Sequence, residues 1–230
     1  MDRLRCVIIN RKELEIEHQL DADVLFLLNH LYLYGVRILN LDGNVNTDRI
    51  KSILKEAGQK MSESLLIASM DETLANGRAL GLPTLAFVNR ATGAQSYRDA
   101  DMIAEGFEEV DFYFLERVYQ RKHGIPWRVI ETRRTYLREM SEADVDALYE
   151  IYGEEGITEF VEPLYEDKEE ELAYTRAYIE HMYKYYGYGM WLVCDRWTDR
   201  IIGRAGLNNQ EIGGEIELEM GYLIRRDCQR

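Results

Sequence analysis

Three glutamates alternate with apolar residues near the end of the printed sequence. Glu215, Glu217 and Glu219 occupy every second position of the stretch 215–224, so on a β-strand their side chains would share one face. A carboxylate on a face that a ligand covers could act as a general base, because a dry surrounding favours proton uptake. The same spacing also fits the charged outer face of a half-exposed antiparallel strand. Both interpretations remain open from these residues alone.

The positions between these glutamates are apolar and continue to the end of the stretch. This alternation predicts a strand with one buried face, made of Ile216, Leu218, Met220, Tyr222 and Ile224.

Three sequence segments in the second half of the chain are similar to segments of a known protein family: RRTYLREMSEADVDALYEIY, IIGRAGL and LEMGYLI. Together they resemble the GNAT family of N-acetyltransferases over about residues 130–230, and they point to the branch that acetylates ribosomal-protein N-termini. The resemblance implies transfer of an acetyl group from acetyl-CoA to a primary amine, on a small molecule or a peptide. It also implies that a carboxylate on the last strand takes the amine proton, with Glu219 as the first candidate and Glu217 as the second.

The same resemblance implies where acetyl-CoA would bind. By position, the backbone of Leu223 and Ile224 would hold the pantetheine arm. Gln229 and Arg230 would begin the loop that wraps the pyrophosphate, and the glycines of that loop do not follow in the printed sequence. We therefore expect this 230-residue form to be incomplete as an enzyme. The alternative is a non-catalytic binding or scaffold protein.

The first half carries a second resemblance. The string LLIASMDETLANGRALGLPTLAFVN is similar to the late strand, acidic loop and helix of the haloacid dehalogenase (HAD) superfamily. That likeness implies a carboxylate side chain at four positions. In this sequence the four positions carry other residues instead: Asn10, Lys12, Ser69 and Thr73. Phosphoryl transfer by this route needs a carboxylate nucleophile and carboxylates on a divalent cation. We therefore expect a HAD-like fold without HAD chemistry and without a metal site.

The amino-acid composition limits the classes of partner and the cellular location that we expect for this protein. The chain has a net charge of −14, which argues against nucleic acid as a partner and suits a cationic acceptor. Three scattered cysteines and four histidines form neither a disulfide framework nor a metal spacing. No stretch is long and apolar enough for a signal peptide or a membrane span, so the expected location is the cytoplasm. Self-association remains a further expectation for an incomplete sheet.

The periodic signals predict two domains, residues 1–124 and 125–230, with a hinge at Gly124-Ile125-Pro126-Trp127. In the first, strands alternate with helices, which predicts a parallel sheet covered on both faces; the strands are expected at 6–9, 36–41, 65–68 and 83–88, and the helices at 23–34, 49–59, 71–80 and 110–122. In the second, we expect an incomplete GNAT fold of one strand, two helices and an antiparallel meander; its strands are expected at 132–137, 190–195, 201–207 and 215–224, with a turn at 208–214.

Overall fold

The computed structural model describes residues 3–20, 22–42, 45–159 and 161–229. The chain forms two compact units, Met1–Ile125 and Pro126–Arg230, and each is described by itself. No helix in the described ranges is long and apolar enough to cross a membrane.

The first unit alternates strands and helices. Its strands are β1 (Cys6–Ile9), β2 (Glu15–Ile16), β3 (Gln19–Leu20), β4 (Arg37–Asn40), β5 (Ser64–Ala68), β6 (Thr84–Phe87) and β7 (Met102–Ala104). Its helices are α1 (Arg11–Leu14), α2 (Ala22–Leu33), α3 (Thr47–Glu56), α4 (Asp71–Ala79) and α5 (Phe112–Lys122). Strand β7 was not predicted, because only three residues form it.

A parallel sheet with the order β4-β1-β5-β6-β7 forms the centre of this unit. Successive residues of β1 point to opposite faces, and all four are buried. On one face Val7 and Ile9 pack in a cluster with α2 and α5. On the other face Cys6 and Ile8 pack in a cluster with α3 and α4. The predicted parallel sheet with helices on both faces is therefore confirmed.

The second unit contains an antiparallel sheet and two long helical segments. Its strands are β8 (Arg128–Glu131), β9 (Thr135–Arg138), β10 (Met190–Asp195), β11 (Ile201–Ile212) and β12 (Glu215–Ile224). Its helices are α6 (Val145–Tyr152) and α7 (Lys168–Tyr178), and a π-helical segment, Ile179–Tyr186, continues α7. The single strand expected at 132–137 was wrong in extent, since two strands flank Thr132.

The antiparallel sheet has the order β12-β11-β10-β9-β8. Strands β11 and β12 form a long hairpin, paired without a break from Gly203 opposite Ile224 to Ile212 opposite Glu215. The turn expected at 208–214 was therefore wrong: it contains only Gly213 and Gly214, whose positive φ angles of 65° and 89° suit glycine.

A buried ion pair fixes the start of the first helical segment of this unit. Ser141 and Asp144 form a capping box. The carboxylate of Asp144 also accepts two hydrogen bonds from the guanidinium of Arg138, at 2.6 and 2.8 Å. Burial raises the pKa of Asp144, but the hydrogen bonds and charge of Arg138 outweigh it, so the net pKa is lowered. The pair thereby joins β9 to the entry of α6.

Candidate active site

The two predicted base residues lie on the helix-covered face of the sheet. Glu219 is opposite Asn208, and Glu217 is opposite Gln210. Both glutamates are exposed. Glu217 and Glu219 are separated from Leu223 by even numbers of residues, so all three side chains share one face of the sheet. Leu223 is 7% exposed and packs in a cluster with Ile151 from α6. Glu219 and Glu217 therefore continue, beyond the edge of the helix cover, the face that α6 packs against.

The opposite face of β12 is apolar and open. The expectation of a buried face was wrong, because Ile216, Leu218, Met220 and Tyr222 are 72%, 56%, 79% and 77% exposed. No element of the described chain covers this row. Alternation alone therefore identified which residues share a face, but not which face is buried.

The two residues expected to hold pantetheine, Leu223 and Ile224, direct their backbone groups to opposite edges of β12. The N–H of Arg225 donates to the carbonyl of Ile202 at 2.8 Å, so Arg225 turns toward β11. Because antiparallel pairing alternates, Leu223 also turns its backbone groups toward β11, and Ile224 turns its groups to the other edge. That edge has no paired strand in the described residues. The geometry therefore favours Ile224 over Leu223 as a backbone donor to a ligand.

The residues after β12 are engaged in local contacts. The side-chain amide of Gln229 donates to the carbonyl of Ile224 at 2.7 Å, which leaves the N–H of Ile224 as its outward group. Arg230 lies outside the described residues, so the expectation for it stays a prediction.

The two arginines between β12 and Gln229 are paired with acids. Arg225 contacts the carboxylates of Glu150 and Glu154 at 3.5 and 3.0 Å. Arg226 contacts Glu155 at 2.8 Å. Both guanidinium groups therefore stabilise the junction with the end of α6 rather than standing free for a pyrophosphate.

In the first unit, the structure brings together the four residues that the HAD resemblance singled out. Asn10 follows β1 and Ser69 follows β5, at the carboxyl ends of neighbouring strands. Thr73 is buried in the first turns of α4. Lys12 and Asn10 line a pocket of about 460 Å³ there.

At their centre is a carboxylate that the sequence interpretation missed. Oε1 of Glu13 accepts hydrogen bonds from the side chains of Asn10 and Thr73, both at 2.6 Å. Oε2 accepts from the backbone N–H groups of Ser69 and Met70, at 2.8 and 3.0 Å. Four donors saturate this buried carboxylate, so it is not available to bind a metal or attack a phosphate. No cluster of metal ligands occurs in the residues that the structure describes.

Comparison with known proteins gives a family match in the second unit. Residues 134–230 match the family model of the acetyltransferase (GNAT) domain. A protein assigned to the GnaT acetyltransferase family from Bordetella pertussis is 19% identical; the alignment covers 45% of this chain and 62% of that one, with a TM-score of 0.35. An acetyltransferase from Agrobacterium tumefaciens is 22% identical over 44% of this chain and 56% of its own, also with a TM-score of 0.35.

A third solved structure, the glucosamine N-acetyltransferase region of a fungal multi-domain β-N-acetylglucosaminidase, is 7% identical. It aligns to 100% of this chain and 27% of its own, with a TM-score of 0.30. The chain thus spans less than two thirds of the length of each of these structures. The family match supports a GNAT acetyltransferase domain in the second unit.

Proposed function

We propose that the second unit transfers an acetyl group from acetyl-CoA to a primary amine. The observation that carries this proposal is the match of residues 134–230 to the acetyltransferase (GNAT) domain. The hairpin geometry supports it, because carboxylates and an outward backbone edge occur on one strand, β12. The acceptor is a small-molecule amine or a peptide N-terminus, and the latter would suit the branch that acts on ribosomal proteins.

In this proposal Glu219 is the general base and Glu217 assists it. An amine attacks only when it is neutral, so Glu219 takes the proton from the acceptor ammonium, directly or through water. The N–H of Ile224, at the open edge of β12, would hold the pantetheine arm of acetyl-CoA by a hydrogen bond. Acetyl-CoA would supply the activated acyl thioester: attack by the amine forms the amide C–N bond and breaks the C–S bond, and CoA leaves as a thiolate that takes up a proton from solvent. Gln229 and Arg230 would lie beside its pyrophosphate.

The test is the pH–rate profile of the protein that carries these residues, measured with acetyl-CoA and a panel of amines. Glu219→Gln should lower kcat by roughly 10²–10⁴-fold and leave the dissociation constant for acetyl-CoA nearly unchanged. Glu217→Gln should have a smaller effect. Glu211→Gln is the matched control, since this exposed glutamate lies on the same hairpin but on the opposite face. Wild-type kcat at every pH in both Glu219→Gln and Glu217→Gln would show that neither glutamate is the base.

For the first unit we propose a degenerate HAD-like domain that binds or scaffolds rather than catalyses. The saturated carboxylate of Glu13 supports this second function, because the acid that lies among these residues is already bonded to four donors. A phosphatase assay with Mg²⁺ tests it. Turnover that disappears in Glu13→Gln would contradict the proposal.

Three further expectations about the surroundings belong to this proposal. The net charge of −14 still favours amines over nucleic acid as partners. All three cysteines are free, which supports a reducing cytoplasm. The exposed apolar row on β12 supports self-association, and sedimentation velocity over a range of concentrations would measure it.

A further inference from the structure

Arg204 is a cation on the inner side of the antiparallel sheet. It lies on β11, directly opposite Leu192 on β10 and Leu223 on β12. Both leucines are buried. Directly opposite residues of an antiparallel pair share a face, so Arg204 points to the side that the helices cover. The residue keeps part of its surface exposed.

The guanidinium group of Arg204 is surrounded by tyrosines rather than by acids. Its Nη1 donates to the hydroxyl of Tyr152 at 3.1 Å. Its Cζ lies 5.9 Å from the ring centroid of Tyr178. Its Nε is shielded from solvent and has no hydrogen-bond partner. Within the ranges that the structure describes, no carboxylate forms an ion pair with Arg204.

Other arginines with low exposure in this unit do have acidic partners. Arg138 is held by Asp144, and Arg225 by Glu150 and Glu154. These three acids already pair with other arginines. Arg204 differs from Arg138 and Arg225 because no acid pairs with it among the described residues. An unpaired charge away from water is costly, and a face-on aromatic ring offsets only part of that cost. An oxyanion would pair with Arg204, because guanidinium binds carboxylate and phosphate in a two-pronged arrangement.

An anion bound to Arg204 would lie on the same face of the sheet as the proposed base, Glu219. Leu223 opposite Arg204 is followed on this face by Gly221 and then by Glu219. Four residues along a strand correspond to about 14 Å. A small peptide or an extended amine could therefore reach both ends of this stretch.

We propose that Arg204 binds the oxyanion, a carboxylate or a phosphate, of an acceptor whose amine is placed near Glu219. The inference rests on the proposed acetyl transfer and specifies its substrate class: a bipolar acceptor rather than a simple polyamine. Tyr152 positions the guanidinium, and the acidic hairpin receives the ammonium end. The acidic hairpin and Arg204 thereby bind opposite ends of one acceptor molecule.

The kinetic test compares acceptors that differ only in the anion. Tri- and tetrapeptides are assayed as free acids and as C-terminal amides, and ω-aminoalkyl phosphates against the corresponding amino alcohols. The wild type should prefer one anionic class by at least tenfold in kcat/KM. Arg204→Gln should lose that preference by roughly 10–10²-fold, which is the size of one charge-assisted contact, while Arg204→Lys retains part of it. The control Arg196→Gln removes an exposed arginine of the same unit and should change nothing.

A second readout separates this inference from the proposed function, because it does not need turnover. The Nε–H signal of Arg204, identified by its loss in Arg204→Gln, is followed by NMR during titration with the same acids, their amides and inorganic phosphate. A saturable shift with acids alone supports the site, even if no amine is acetylated and the proposed function fails. Thermal unfolding adds a check: without ligand, Arg204→Gln should be at least as stable as the wild type. Equal kcat/KM for acids and amides together with no NMR shift would overturn the inference.

Discussion

Replacing Glu13 should loosen the first unit around the carboxyl ends of β1 and β5. The carboxylate accepts four hydrogen bonds, two from side chains and two from the backbone of Ser69 and Met70. Hydrogen bonds to a charged group contribute about 1.5–3 kcal/mol each and are not additive. Removing the carboxylate leaves its donors unsatisfied at about 1–3 kcal/mol for each buried group, of which water and local relaxation recover a part. We therefore expect Glu13→Ala to lose about 3–5 kcal/mol of local stability.

Glu13→Gln should fall between Ala and the wild type. The amide keeps one acceptor oxygen, but its NH₂ faces donors that the second carboxylate oxygen satisfied. The side chains of Asn10 and Thr73 can rotate to accept from it, whereas the backbone N–H groups of Ser69 and Met70 cannot. A loss of about 1–3 kcal/mol follows. Glu105→Ala, which alters an exposed glutamate of the same unit, should stay within about 0.5 kcal/mol of the wild type.

Hydrogen–deuterium exchange with mass spectrometry on the whole chain measures this effect where it arises. Peptides covering residues 64–79 contain the N–H groups of Ser69 and Met70. A loss of 3–5 kcal/mol corresponds to a fall in their protection of roughly 10²–10⁴-fold, since about 1.4 kcal/mol is one decade. If Glu13→Ala keeps these peptides within threefold of wild-type protection, the carboxylate is not the centre of this network.

Two further outcomes follow from the ionisable groups. The lowered pKa of Asp144 means that its pairing with Arg138 stabilises the second unit above the pKa of an unfolded aspartate, and that this contribution is lost as the pH falls through the lowered value. Asp144→Asn should therefore cost about 1–3 kcal/mol at pH 7 and little in strong acid; an equal cost at both pH values in urea titrations would refute the pairing. Burial raises the pKa of the Cys6 thiol to about 11, and Cys194 is also buried, whereas Cys228 is exposed. Iodoacetamide at pH 8 should modify Cys228 at least tenfold faster than the other two, and peptide mass spectrometry that finds equal labelling would contradict the described burial.

The sequence predicted most of the architecture because the periodic signals were strong. Buried β1 and the helices of the first unit follow from local apolar patterns. The far half of β11 could not be predicted in this way, since Asn208, Asn209 and Gln210 resemble turn residues. Their extended conformation comes from continuous pairing with β12, a contact with partners later in the chain. Pairing with a neighbouring strand thus outweighs the low intrinsic strand propensity of these three residues.

The candidate sites were predictable only in part, for the same reason. The shared face of Glu217 and Glu219 follows from alternation. The role of Glu13 depends on donors about 56–60 residues away in sequence, and no local pattern indicates them. The unpaired state of Arg204 is likewise invisible in the sequence, because it depends on which acids the other arginines have already taken.

The most direct test of the central claim is whether acetyl groups leave acetyl-CoA and arrive on an amine nitrogen. A form of the protein that includes the pyrophosphate loop expected to begin at Gln229 and Arg230 is incubated with acetyl-CoA and the amine panel, and released CoA thiol and acetylated amine are quantified in the same sample. The account predicts equal amounts of both, formed catalytically and reduced roughly 10²-fold or more in Glu219→Gln. Thiol release without acetylated amine, or no turnover with any amine, would contradict the acetyltransferase assignment of the second unit.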